Sequence, residues 1–562
     1  MIADLLFAGG PVHLVDPAGT VTDAVAVRAG RVVALGRSAR QLAGTGTEVV
    51  DLRGRLLVPG FQDAHAHPVF GGLELGQCDL TGGPRDAAGY LATVKRYAAG
   101  HPDDEWIVGA GWAMEAFPGG TPTREALDAV VPDRPVLLQN RDHHGAWVNS
   151  AALRRAGVTG HTPDPADGRI ERDAAGQPSG TLHEGAVLLV SALVPAPDRA
   201  ALRDGLLRAQ RLLHSYGITA WQDAWVGADP PNPDVFGTYL DAAAAGELTA
   251  RVRGALWWRR GEGRGQIAGL VARRARGSVG RFRAGTVKIM QDGVAENFTA
   301  GMLAPYLDGC GHPTANAGLS FVDPRLLAGY VTELDALGFQ VHFHALGDRA
   351  VREALDALAA ARAANGPGDN RHHLAHLQVV HPDDLPRFRA LGAGANIQAL
   401  WAVHDRQMDE LTIPFLGPER AGWQYPFAAL RRAGATLVAG SDWPITSANP
   451  IEGMHVAVNR VAPGRAQPVL GGGEHAHRVR VSTAPAFLPE QRLDLAAALA
   501  AYTAGSAWAN HLDDTGTVRV GARADLVLLD HDPFAEPPEA IHETRVLRTY
   551  VDGELVYAAP DA

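Results

Sequence analysis

Eight short apolar stretches recur along the middle of the chain, and most are followed by a loop and an alanine- and leucine-rich amphipathic segment. The first lies within Leu57-Val58-Pro59-Gly60-Phe61-Gln62-Asp63-Ala64-His65-Ala66-His67-Pro68; the others cover 217–223, 251–257, 286–290, 339–344, 372–377, 394–398 and 436–442. Strand and helix segments in alternation imply βα units on a parallel sheet. Eight such units close into an α/β fold, the (β/α)8 or TIM barrel, whose functional residues sit at the C-terminal ends of its strands. The length of 562 residues holds such a barrel with room for smaller units.

Residues 1–58 have a different texture, with short apolar runs such as 24–27 and 31–36 punctuated by glycine. The same texture returns at 516–521, 524–530 and 546–557. Because chain ends tend to lie close together, both termini are expected to build one small β-sandwich domain, 1–58 from one side and part of 481–562 from the other, the latter opening with the final helices. The barrel is expected over 59–480, with an inserted subdomain at 69–212, an interval far too long for one βα connection. Loops and insertions above a barrel mouth commonly decide what an enzyme accepts, so specificity is placed partly there.

A net charge of −11 argues against nucleic acid or an anionic membrane as partner and leaves a small-molecule substrate, with a homodimer admitted as assembly state. The two cysteines, Cys78 and Cys310, are too few for a disulfide scaffold and read as free, buried thiols. The N-terminus has no basic region ahead of its apolar residues, and no uninterrupted apolar run suits a membrane span, so a cytoplasmic enzyme is expected.

The chemistry-bearing residues lie near strand ends. His65 and His67, two apart, project from the same side of an extended backbone, where they can share a cation. Lys288 sits in an apolar strand, as a salt-bridged or snorkelling lysine or as an amine that has reacted with carbon dioxide to give a metal-bridging carbamate. His342 and His344 repeat the spacing of two; His372, His373, His376 and His381 crowd the next unit, and spacing does not choose among them. Asp442 ends a strand as either a helix cap or a general base beside an acidified water. Such nitrogen and oxygen donors suit zinc or another divalent ion. Trp112, Trp147, Trp401 and Trp443 are candidates for an apolar pocket wall or for core packing.

These motifs resemble those of the amidohydrolase superfamily, in the amidohydrolase-3 branch that includes N-substituted formamide deformylases. The resemblance runs nearly the whole length, through 58–67, Lys288-Ile289-Met290-Gln291-Asp292-Gly293, His344-Ala345-Leu346-Gly347-Asp348-Arg349-Ala350, His376-Leu377-Gln378 and Gly440-Ser441-Asp442-Trp443-Pro444. It implies that His65, His67 and Asp442 hold one metal, that His344 and His376 hold a second, and that Lys288 bridges them as N6-carboxylysine, some members keeping a single ion. It also implies that His144, in the pattern of Asp142, His144, Trp147 and Asn149, faces the substrate; Trp112, Asp292 and Trp443 are expected as further substrate contacts. The expected activity is hydrolysis of a carbon–nitrogen bond in a non-peptide amide, N-formyl or N-acyl compound, with Asp442 and Lys288 as catalytic residues. Cyclic amide hydrolysis, deamination, ester cleavage and a non-catalytic scaffold are the alternatives. A metal-free glycosidase would instead need paired carboxylates at strand ends, where this chain offers histidines.

Overall fold

The computed structural model describes residues 2–81, 84, 86–229, 232–464 and 485–560. Eight strands stand side by side in chain order and all run parallel: β1 (Phe61–Ala66), β2 (Ile218–Val226), β3 (Arg251–Trp257), β4 (Phe282–Met290), β5 (Gln340–Ala345), β6 (His373–His376), β7 (Gly394–Ile397) and β8 (Thr436–Ala439). The segment after β8 joins back to β1. Asp442 N donates to His65 O and His67 N to Trp443 O, each at 2.7 Å, and Ser441 N donates to Asp63 Oδ1 at 3.0 Å. The sheet is thereby a (β/α)8 TIM barrel.

The strands β1 and β5 are buried at every residue, as expected where helices cover the outside and side chains fill the inside. The helix Arg199–Ser215 shows how the cover is built. Asp198 caps its start by accepting from Ala201 N at 2.8 Å, and Leu202, Leu206, Ala209 and Leu213 recur at helical spacing on its buried face. Strand register then sets the interior: Lys288 pairs with His342 and His342 with His373, so three side chains lie level on one face, while Met290 pairs with His344 and Ala345 with His376.

Strands from both chain ends share a second sheet, in which Leu57–Pro59 runs antiparallel to Leu526–Leu529. The apolar stretch 546–557 is a hairpin there, Val546–Val551 and Glu554–Ala558, turning at Asp552 and Gly553, both with positive φ. The strand expected at 516–521 is instead irregular backbone, entered and left through Gly516 and Gly521 at φ of 72° and 88°; Val518 alone packs into the sheet's core. A third sheet of six strands, from Cys78–Asp79 to Pro178–Glu184, occupies the interval between β1 and β2. Cys78 is buried in it, whereas Cys310 is exposed, contrary to the expectation of two buried thiols, because it sits in a polar turn between Asp308 and His312. The expected barrel limit at residue 480 lies outside the described residues. No helix among the described residues is long and apolar enough to cross a membrane.

Candidate metal centre

Closure of the barrel is what gathers the candidate donors. The bonds between β1 and the segment after β8 bring Asp442 against His65 and His67. Asp442 and His376 hold φ of 59° and 79°, a left-handed conformation that costs non-glycine residues about 1 kcal/mol or more and that recurs at functional sites. Asp442 Oδ1 is 3.1 Å from both His65 Nε2 and His67 Nε2, and Oδ2 is 3.9 Å from His376 Nδ1. The His376 ring lies 4.8 Å from that of His65 and 4.5 Å from that of His344. One donor atom from each of His65, His376 and Asp442 falls within 4.8 Å of the other two. Lys288 is buried in the same wall, its Nζ 3.4 Å from His342 Nε2.

Burial pushes His65 down to about 3 and the Lys288 amine down to about 7, and takes His344 and His376 well below the ordinary imidazole range. These imidazoles are therefore neutral at neutral pH, the state in which histidine binds metals.

A buried chain of amides decides which nitrogen of His65 faces the centre. Gln340 Nε2 donates to two backbone carbonyls, Arg371 O and Ala509 O, both at 2.7 Å, which fixes its Oε1 as the acceptor for Gln222 Nε2 at 3.0 Å. Gln222 Oε1 must then accept from His342 Nδ1 at 2.7 Å and His373 Nε2 at 3.1 Å. His342 is left with an acceptor at Nε2, and His65 Nδ1 donates to it across 2.9 Å. Consequently His65 Nε2 turns its lone pair toward Asp442.

That arrangement sets acceptor against acceptor at 3.1 Å, while His67 Nδ1 and His376 Nε2 are buried without a hydrogen-bond partner among the described residues. A cation between His65 Nε2 and Asp442 relieves the first of these conditions, and neutral imidazoles with a carboxylate are donors that suit a divalent transition metal. The residues present thus fit such an ion.

All six candidate ligands line one cavity of about 500 Å³, and so do His144 and Trp401. His144 Nδ1 meets Glu184 Oε2 at 2.9 Å; burial favours the neutral ring, but Glu184 outweighs it and raises His144 to about 9. Three expected substrate contacts do not line the cavity. Trp112 is fully buried in the inserted sheet's core, donating to Leu138 O at 2.8 Å, and Trp147 is buried beside it. Trp443 is buried over Gly71 and reaches the centre only through its backbone oxygen. Asp292 lies beneath the wall, where it accepts from Gly301, Leu346 and Gly347 N and stands 3.3 Å from Nδ1 of the candidate ligand His344.

Other wall residues escaped the sequence. Trp225 and Trp257 stack at 3.7 Å with planes 3° apart, the former 6.4 Å from the His67 ring. Their place at the ends of β2 and β3 was the available signal. Glu184 carries no motif; only its backbone, at φ 49° and ψ −128°, marks it as unusual.

The model of a family described as "Amidohydrolase family" matches residues 48–557. "Protein LONG AFTER FAR-RED 3" of Arabidopsis thaliana is 31% identical, covering 99% of this chain and 92% of its own. The "N-substituted formamide deformylase" of Arthrobacter pascens is 28% identical, covering 99% and 98%. Among solved structures, an uncharacterized metal-dependent hydrolase from Pyrococcus furiosus superposes with a TM-score of 0.69 at 25% identity, over 94% of this chain and 99% of that one.

Proposed function

The chain belongs to the amidohydrolase family, and from that premise we propose that this metal-dependent hydrolase cleaves the carbon–nitrogen bond of a small non-peptide amide, an N-formyl or other N-acyl compound. The observation that carries the reading is the convergence of His65, His376 and Asp442 in the wall of the 500 Å³ cavity. The similarity to a protein named for formamide deformylation supports the bond type and the formyl group.

His65, His67, His344, His376 and Asp442 would hold one or two divalent ions, zinc in the first instance, with Lys288 as a carbamate between two. When bound, such an ion polarises the acyl oxygen and acidifies the attacking water. Asp442 Oδ1 faces His65 and His67, which leaves Oδ2 to take the water's proton. As the new carbon–oxygen bond forms and the carbon–nitrogen bond breaks, Oδ2 returns that proton to the nitrogen, which departs as a neutral amine. His144, kept charged by Glu184, donates toward the oxygen on which negative charge develops. The Trp225 and Trp257 stack offers a flat apolar wall for the nitrogen substituent.

Elemental analysis of the purified protein, paired with formate release from a panel of N-formyl amines before and after chelation, tests this. One or two equivalents of divalent metal and chelation-sensitive formate are expected. Bound metal with no formate from any panel member would discard the deformylase and keep the hydrolase.

A further inference from the structure

A second cavity, of about 320 Å³, opens at the N-terminal ends of the barrel strands, the face opposite the metal centre. Its volume lies in the range of ~300–1,000 Å³ common to small-molecule sites. Its wall, however, is polar and dominated by arginine: Arg251 and Arg253 from the start of β3, Arg281 and Arg283 from the turn into β4, and Arg523 from the sheet shared by the chain ends.

The ion pairs there are outnumbered. Asp552 serves Arg251, Arg281 and Arg523 at once, Asp514 serves Arg523 and Arg31, and Asp525 serves Arg251. Arg253 and Arg283 meet no carboxylate among the described residues and donate only to backbone oxygens, those of Asn510, His511 and Val252 for the first and of Gly280 and Phe282 for the second. Six guanidinium groups thus share three carboxylates, which leaves three uncompensated positive charges in a chain whose net charge is −11. Such crowding is costly without a counter-anion. Burial and the neighbouring Arg283 and Arg251 push the Arg253 guanidinium down to about 10, a departure rarely seen for arginine.

All the hydrogen bonds of Arg283 leave from Nη1, and its side chain is exposed, so the rest of its fork is open to a ligand. Planar guanidinium forks match the paired oxygens of phosphate and carboxylate groups. We propose that this cavity binds a small polyanion bearing two or more phosphate or carboxylate groups, held between Arg283, Arg253 and Arg281, at a site separate from the metal centre.

Calorimetric titration of the metal-loaded protein at low ionic strength tests the proposal, with fructose 1,6-bisphosphate as the phosphate probe and tricarballylate as the carboxylate probe. Saturable binding of one probe molecule per chain is expected, weakened by salt and at least about tenfold weaker in Arg283→Gln, which disturbs only an exposed side chain. Arg253→Lys keeps the charge but not the fork, and is expected to weaken binding. Binding of the bisphosphate alone assigns phosphate esters; binding of both assigns polyanions generally. Absence of saturable binding for both probes overturns the proposal, and so does undiminished affinity in Arg283→Gln, which would place the anion elsewhere, the metal centre included.

Discussion

His342 Nε2 lies 2.9 Å from His65 Nδ1, and this contact selects the His65 nitrogen that faces Asp442. The selection begins at the backbone carbonyls of Arg371 and Ala509 and passes through Gln340, Gln222 and His342 before it reaches His65. Hydrogen bonds behind a metal-bound histidine typically change affinity by about 10- to 100-fold. His342→Phe, which removes the acceptor and keeps the bulk, is therefore expected to weaken metal binding by about that factor in a competition against a chelator, with unchanged far-UV circular dichroism. Wild-type affinity in this variant would show that the His65 tautomer is set by something else.

Asp442 offers a different split between binding and turnover. Asn at this position keeps an oxygen for the ion but has no carboxylate to carry a proton, so Asp442→Asn is expected to retain most metal while kcat falls by about 10²–10⁴-fold. Measured metal content and kcat on the same preparation decide it. A variant with full metal and parental kcat removes Asp442 from proton transfer.

Burial holds the Lys288 amine down to about 7 against the raising pull of Asp442, which leaves much of it unprotonated and nucleophilic near neutrality. Reaction of that amine with carbon dioxide forms an N–C bond and releases a proton, giving a carbamate. Protein grown with ¹³C-bicarbonate is expected to show a carbamate carbon resonance that Lys288→Ala lacks. Most metal and activity should go with it, and acetate or propionate should restore a part. A Lys288→Ala protein that holds metal and turns over normally has no need of the bridge.

The barrel was legible because its strands are buried on both faces, β1 at every residue and β3 at all but one, and so stand out as short, mainly uncharged runs between loops. The candidate ligands were legible for a related reason: strand ends fix their spacing, and His65 with His67 or His344 after His342 keep that spacing in the chain. What stayed hidden depends on contacts across long sequence separations. His342 looked like a spare histidine beside His344, and only the β4–β5–β6 register, with Gln222 arriving from β2, turns it into the support for His65. Trp112 misled for the converse reason, since an aromatic residue at the end of a strand reads alike whether that strand belongs to the barrel or to the inserted sheet.

Trp225 and Trp257 give a prediction about specificity. Aromatic pairs contribute about 0.5–1.5 kcal/mol beyond area burial, which corresponds to roughly 2- to 10-fold in affinity. Trp225→Leu is expected to raise KM for N-arylalkyl formamides by about that factor while leaving N-methyl formamides nearly unchanged. Equal changes for both substrate sets would mean that the stack shapes the cavity without touching the nitrogen substituent.

Glu184 and His144 set the alkaline limit. With Glu184 as partner, His144 keeps its charge up to a pH of about 9. In Glu184→Gln the largest raising influence is gone, burial still favours the neutral ring against the weaker pull of Asp142 and Asp442, and the His144 pKa falls from about 9. The sign follows directly: a contribution from the charged imidazole, present below about 9 in the parent, is lost at a lower pH in the variant. The alkaline limb of kcat/KM against pH is thus expected to move toward acid, with the largest loss near pH 8 and the smallest near pH 6, metal content being checked at each point. A uniform drop at every pH would assign Glu184 a packing role, since loss of a structural contact does not depend on the charge of His144.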